Sequence, residues 1–196
     1  MWKASSEAGA GGLSCAGMSG TLGWIVRRLV DIALLRSGPQ ALPASTTLTV
    51  GCALAYVAAG TAALGARLGP ARAAAEGVLD AAMLAAFAWG LLRLRGWPNR
   101  FRQTYAALTG TGTLFALLAW PLMALAWRAE QLGGVPLPLG LALLGMVAWT
   151  LLVLGHILRH ALEAPMPVAV GLALLYVLFS WWVTALVLPE AAGAGS

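Results

Sequence analysis

The chain has 196 residues, of which 60% are hydrophobic and only 10% charged, against about a quarter charged in ordinary soluble domains. That balance excludes a water-soluble fold as the starting point. The net charge of +5 does not call for a nucleic-acid partner, because the basic residues sit between long apolar stretches, where the rules of membrane insertion account for them.

Residues 1–20 are rich in Gly, Ala and Ser and bury too little to fold, so a disordered N-terminal tail is expected there. The two cysteines, Cys15 and Cys52, give no disulfide framework, one lying in that tail and the other inside an apolar segment. Over residues 21–36, Leu22, Ile25, Leu29 and Ile32 recur at helical spacing while Arg27, Arg28 and Asp31 fall to another side. This pattern predicts an interfacial amphipathic helix, with arginines at the headgroups and Trp24 in the acyl boundary; a helix packed beneath a bundle fits it equally. Ser37-Gly38-Pro39-Gln40-Ala41-Leu42-Pro43 then breaks the helix.

Crossing the hydrocarbon core takes about 20 apolar residues in a helix, since the backbone must satisfy its own hydrogen bonds there. Five stretches qualify, at about 46–64, 73–92, 104–127, 137–158 and 166–188, within a transmembrane domain spanning 44–189. Pro70, Pro98, Pro136, Pro138, Pro165, Pro167 and Pro189 mark the boundaries, as proline is tolerated in the first turn of a helix and costly in its middle. Pro121 is the exception and predicts a kink. Residues 190–196 are expected to form a disordered tail. The expected fold is therefore all-α: a polytopic integral membrane bundle of five transmembrane helices, preceded by the amphipathic helix.

With the N-terminus in the cytoplasm, that side holds nine of the twelve basic residues, Lys3, Arg27, Arg28, Arg36, Arg93, Arg95, Arg100, Arg102 and Arg159, and the other side holds Arg67, Arg72 and Arg128. The bias predicts an inside N-terminus and an outside C-terminus. Small residues repeat every four positions at Gly51, Ala55, Ala59 and Ala63, and again at Ala82, Ala86 and Gly90; both stripes are expected to face protein. Trp89, Trp97, Trp127, Trp181 and Trp182 fall mostly near span ends, where an interfacial belt is expected and a substrate-stacking site is the alternative.

Ionisable groups in or beside a span are costly and therefore candidates for function. Glu76 and Asp80 stand one turn apart at the start of the second span, with Arg67 and Arg72 close in sequence; local charge pairing is expected, and a cation or proton site is the sharper alternative. His156, Arg159, His160 and Glu163 close the fourth span, with 156, 160 and 163 on one helical face. Two histidines at that spacing can hold a metal, but no thiolate or third ligand accompanies them. No metal or cofactor is expected, and hydrogen bonds to Arg100, Arg102, Gln103 or Tyr105 are the preferred account. The loop 93–103 carries Arg93, Arg95, Arg100 and Arg102 beside Trp97 and Phe101. With Arg27 and Arg28 these arginines are candidate contacts for lipid phosphate or an acidic partner. No nucleophile elbow or phosphate-cradling loop is present and the chain has one lysine, Lys3, so no enzymatic reaction is suggested.

Three stretches, Arg28 to Ser45 (RLVDIALLRSGPQALPAS), Arg100 to Gly112 (RFRQTYAALTGTG) and Gly155 to Glu163, together with the span layout, resemble the Yip family of Rab-GTPase-interacting membrane proteins, above all its small bacterial relatives. The eukaryotic branch engages lipidated small GTPases on its cytoplasmic face; its Asp-Leu-Tyr-Gly-Pro stretch is lacking here, with only Gly38-Pro39 reminiscent of it. The resemblance implies a multi-pass protein of a bacterial inner membrane whose role is undefined and for which no catalytic residue carries across. Two functional expectations follow. One is a non-enzymatic protein acting through helix packing with membrane partners, lipid or further copies of itself. The other is a small transporter or channel using the intramembrane acidic and histidine groups.

Overall fold

The computed structural model describes residues 15–188, with side chains from Thr21 onward. It contains six α-helices: α1 (Cys15–Ala33), α2 (Thr46–Leu68), α3 (Pro70–Leu94), α4 (Phe101–Gln131), α5 (Leu137–Leu162) and α6 (Met166–Val187). Among the described residues there is no strand, and α2 to α6 are all long and apolar enough to cross a membrane. The protein is an all-α, multi-pass membrane bundle.

Spans α2 to α5 outrun their apolar windows, while α6 ends one residue inside its own. α3 starts at Pro70 and reaches Leu94, and α4 reaches Gln131, because backbone hydrogen bonding continues where the side chains turn polar. Arg67, Arg93, Arg128 and Arg159 lie in the last turns of their helices, where cations oppose the negative end of the helix dipole. Pro121 sits inside α4, which runs on through it. Ser45 caps the start of α2, its carbonyl accepting the Thr49 hydroxyl at 2.9 Å. Positive-φ glycines close the turns: Gly96 after α3 and Gly133 after α4, each followed by the six-to-one hydrogen bond of a Schellman end.

The spans alternate in direction and close into a ring in the order α2, α3, α6, α5, α4 and back to α2, with α3 also touching α4 and α5 across it. One end of this ring carries Arg93, Arg95, Arg100, Arg102 and Arg159 and is called the arginine-rich end; the other carries the Gly69 and Gly133–Gly134 turns. Burial is uneven between the two. Leu84, Ala88, Tyr105, Ala106, Leu108, Val153 and Ile157 form one cluster, and Leu92, Leu158, Ala161, Leu162, Ala169 and Ala173 form another. Both lie in the half nearer the arginine-rich end. Leu54, Val78, Leu118, Leu144 and Leu178 are exposed on the outer faces, as lipid solvation requires.

Helix α1 begins at Cys15, so the last six residues of the segment expected to be disordered are helical; residues 1–14 and 189–196 lie outside the described residues. Extending a helix that Leu22 to Ile32 already nucleate costs little per residue. It ends earlier than the sequence suggests, because Leu35 takes a left-handed φ of 61° and Arg36 bonds back to the Asp31 carbonyl at 2.8 Å. Its Leu29 and Ile32 are buried on α4 and α5, while Leu22, Val26 and Val30 remain exposed. Leu29 enters a notch at Gly110, where an added Cβ would stand 2.6 Å from its Cδ2. The linker is stitched down as well. Trp149 Nε1 donates to the Ala33 carbonyl at 3.1 Å, Gln40 to that of His160 at 3.1 Å, and Gln103 to that of Leu42 at 2.9 Å.

The small-residue stripes are corrected. Ala59 is buried and Ala63 half-buried, but Gly51, Ala55, Ala82 and Ala86 are exposed. The packed face of α3 is Ala73, Ala81, Leu84 and Ala88. Alanine is so frequent here that small residues line every face, and spacing alone does not choose among them. The α5–α6 contact uses Gly155, where a Cβ would lie 2.7 Å from Val170 Cγ2 and 3.1 Å from its Cα. Gly155→Val is therefore expected to push α6 away and cost roughly 1–3 kcal/mol, read as a lowered Tm of detergent-solubilised protein by circular dichroism. Gly145→Ala, with nothing within 4 Å, is expected to leave the Tm unchanged.

Candidate functional site

Asp80 is the eleventh residue of α3, about 15 Å along the helix from one end and about 21 Å from the other at 1.5 Å per residue. Because α3 starts at Pro70, the carboxyl group stands near mid-span rather than in an opening turn. Its Oδ1 accepts the Tyr176 hydroxyl at 2.7 Å and the Ser180 hydroxyl at 2.6 Å, and its Oδ2 accepts the Tyr56 hydroxyl. Tyr176 also donates to the Asp80 carbonyl at 3.2 Å. The donors come from α2 and α6, so one carboxyl group ties three helices together. Tyr105, from α4, donates to the next carbonyl, that of Ala81, at 2.9 Å. All three tyrosines of the chain thus converge on one turn of α3.

Among the described residues Asp80 has no basic partner. Local pairing is instead made by Glu76, whose Oε1 lies 3.1 Å from Arg72 Nε. Arg72 also donates to the Leu188 carbonyl at 2.7 Å, linking α3 to the end of α6. Charge compensation expected for the pair thus reaches only the outer member. A carboxylate without a counter-ion in the bilayer is expensive, and three hydroxyl donors offset that cost by hydrogen bonding to it.

Asp80 and Glu76 face a cavity of about 460 Å³ to which all five spans contribute. Its polar lining comprises Thr111, Thr150, Ser180 and Thr184, and Tyr56, Phe115 and Tyr176 present rings to it. Gly60, Leu64 and Glu76 place most of it in the half of the bundle nearer Gly69, and Leu84, Leu108 and Val153, which belong to the buried cluster with Tyr105 and Ile157, close it toward the other half. Trp181 is on its wall, the one member of the expected tryptophan belt that touches it.

The histidine group lies elsewhere. His156 is buried, and its Nε2 is 3.1 Å from the Ser37 carbonyl; the His156 and His160 rings meet edge-on with centroids 4.5 Å apart. Arg159 is exposed. Glu163 accepts Arg100 Nη2 at 2.8 Å, and Arg100 Nη1 reaches the Ala161 carbonyl at 3.4 Å, so of the expected loop partners it is Arg100 that engages. These residues fasten the α1–α2 linker and the α3–α4 loop to α5. They do not line the cavity, and among the described residues no group of three metal-binding side chains forms.

Of the arginines assigned to lipid or a partner, Arg93, Arg95, Arg100 and Arg102 lie at the arginine-rich end and Arg27 and Arg28 on α1. Arg28, Arg93 and Arg100 lie over the rings of Trp24, Trp89 and Trp97 at 5.4, 4.9 and 4.4 Å, and Arg27, Arg95 and Arg102 are exposed. Sequence reasoning singled out Asp80 and missed Tyr56, Tyr176 and Ser180. The available signal was tyrosine placed in mid-span instead of at the aromatic belt.

Comparison of the chain with models of known families, with curated proteins and with solved structures finds no match.

The hydroxyl cradle predicts graded losses. Tyr176→Phe, which removes donors to both Oδ1 and the carbonyl of Asp80, is expected to cost about 1–3 kcal/mol. Ser180→Ala leaves the two tyrosines in place and is expected to cost less. Urea unfolding of each variant in mixed micelles measures the order.

Proposed function

We propose that the protein is a membrane carrier that admits a small cationic solute to the five-helix cavity, with Asp80 as the counter-charge. The observation that supports this reading is a mid-span carboxyl group with hydroxyl donors but, among the described residues, no basic partner, on the wall of a cavity built by every span. Intramembrane acids of this kind mark ion and substrate paths. A volume of about 460 Å³ is within the range of small-molecule sites, and the rings of Tyr56, Phe115 and Tyr176 suit an ammonium group.

The geometry favours a carrier over an open pore, because the packed half of the bundle blocks the way from the cavity to the arginine-rich end. Passage requires the helices to shift. This reading is non-enzymatic and does not include His156, His160 or Glu163 in the path. The arginine bias supports a cytoplasmic N-terminus in a bacterial inner membrane and a cavity facing the periplasmic side. The likeness to the bacterial branch of the Yip family is retained as a proposed kinship, supported by the five-span layout. Helix packing with partner proteins or further copies ranks second, since the exposed Leu and Val faces are accounted for by lipid alone.

Calorimetric titration of the purified protein with phenyltrimethylammonium tests the carrier. Saturable binding is expected, weakened tenfold or more in Asp80→Asn and unchanged in Arg95→Gln, with uptake of the probe into proteoliposomes lost in parallel. Equal binding by wild type and Asp80→Asn, or no binding at millimolar probe, would overturn it.

A further inference from the structure

A second hollow lies outside the five-helix cavity, on the flank of the bundle where α2, α4 and the start of α5 meet near the Gly69 end. It measures about 380 Å³ and is lined on α2 by Ala63, Leu64 and Arg67, on α4 by Trp120, Met123, Trp127 and Arg128, and beyond α4 by Leu143. Three of its properties together indicate an occupant.

The first is charge. Arg67 and Arg128 are exposed and, among the described residues, neither forms an ion pair or a hydrogen bond. They stand on different helices and reach one hollow, whereas Arg72, the remaining basic residue of this end, is committed to Glu76 and the Leu188 carbonyl. Glu130 also lines the hollow, so two positive groups outweigh one negative. The second is the apolar floor. Ala63, Leu64, Met123 and Leu143 continue from the guanidinium groups along the spans, which is a path for an acyl chain and of no use to a free anion. The third is the pair of indoles. Trp120 and Trp127 are 48% and 36% exposed and sit seven residues apart, so they lie on one side of α4; Trp127, in the penultimate turn, is near the level where tryptophan holds the boundary between headgroups and tails, and Trp120 lies about 10 Å deeper, beside the acyl path.

We infer that this groove is a binding site for one anionic phospholipid, whose phosphate is held between Arg67 and Arg128 while a tail lies over Met123 and Leu143. The planar guanidinium group is suited to phosphate oxygens, and the apolar floor selects a lipid over a soluble phosphate. The site adjoins the Asp80 cavity at Leu64, which lines both, but shares none of its charged groups and stands or falls independently of the carrier function.

Native mass spectrometry of the full chain, purified in mild detergent with equimolar phosphatidylglycerol and phosphatidylcholine, tests it. Two interfacial arginines partly offset by one glutamate predict roughly a tenfold preference for phosphatidylglycerol in the retained lipid. Arg67→Gln/Arg128→Gln is expected to lose the most tightly held phosphatidylglycerol. Arg67→Lys/Arg128→Lys, which preserves both charges, is expected to keep most of the preference and shows that loss in the glutamine variant is not unfolding. Ten millimolar inorganic phosphate is expected to leave the retained lipid in place. Equal retention of the two lipids, an unchanged preference in the glutamine variant, or displacement by inorganic phosphate would each overturn the assignment.

Discussion

The bundle is organised around one carboxyl group that, among the described residues, has no basic side chain to pair with. Asp80 sits at mid-span, and the hydroxyls of Tyr56, Tyr176 and Ser180 come to it from α2 and α6. A hydroxyl in a lipid-facing position gains nothing by pointing outward, so the same apolar medium that penalises the carboxylate also drives its donors inward. The result is mutual. The acid fixes the rotation of two neighbouring helices, and their tyrosine rings become part of the cavity wall. A cavity in a ring of five helices would otherwise be lined at random by whatever residues faced it.

The second organising feature is the inequality between the two halves of the bundle. Toward the arginine-rich end, α4 is buried continuously from Thr104 to Thr111, with Gly110 admitting Leu29 and Gly155 admitting Val170. Toward Gly69 only isolated residues such as Ala73 and Ala126 are fully covered, and both hollows lie there. Close approach of backbones is what holds helices together where the solvent itself is apolar. The dense half thus supplies cohesion, and the open half supplies room for a ligand and for relative movement of the helices.

Much of this architecture was legible in the sequence for a simple reason. A run of 20 apolar residues in lipid has one low-energy option, and the prolines at 70, 98, 136, 138, 165 and 167 fall at helix starts, where their missing donor costs nothing. The exact ends were less legible because the helices continue past the lipid-compatible residues into charged turns. Glu76 and Asp80 were identifiable as costly groups, and the prospect of local pairing with arginine proved right for Glu76 alone. The partners of Asp80 lie 24, 96 and 100 residues away, a proximity that no local pattern encodes. The face that α3 turns inward was obscured by the abundance of alanine. The histidines were legible as a face, but their acceptor, the Ser37 carbonyl, is a backbone group and leaves no trace in residue identity.

The fastening of the linker has a consequence for how the chain assembles. Ala33, Ser37 and Gln40 are held by Trp149, His156 and the His160 carbonyl, residues synthesised more than a hundred positions later. The Gly110 notch for Leu29 is present once α4, the third span, is in place, but the stretch from Ala33 to Gln40 stays unpinned until α5, the fourth, has entered the bilayer. Pinning of the linker is therefore a late step of assembly, and until then the amphipathic surface of α1 is what favours its staying at the membrane.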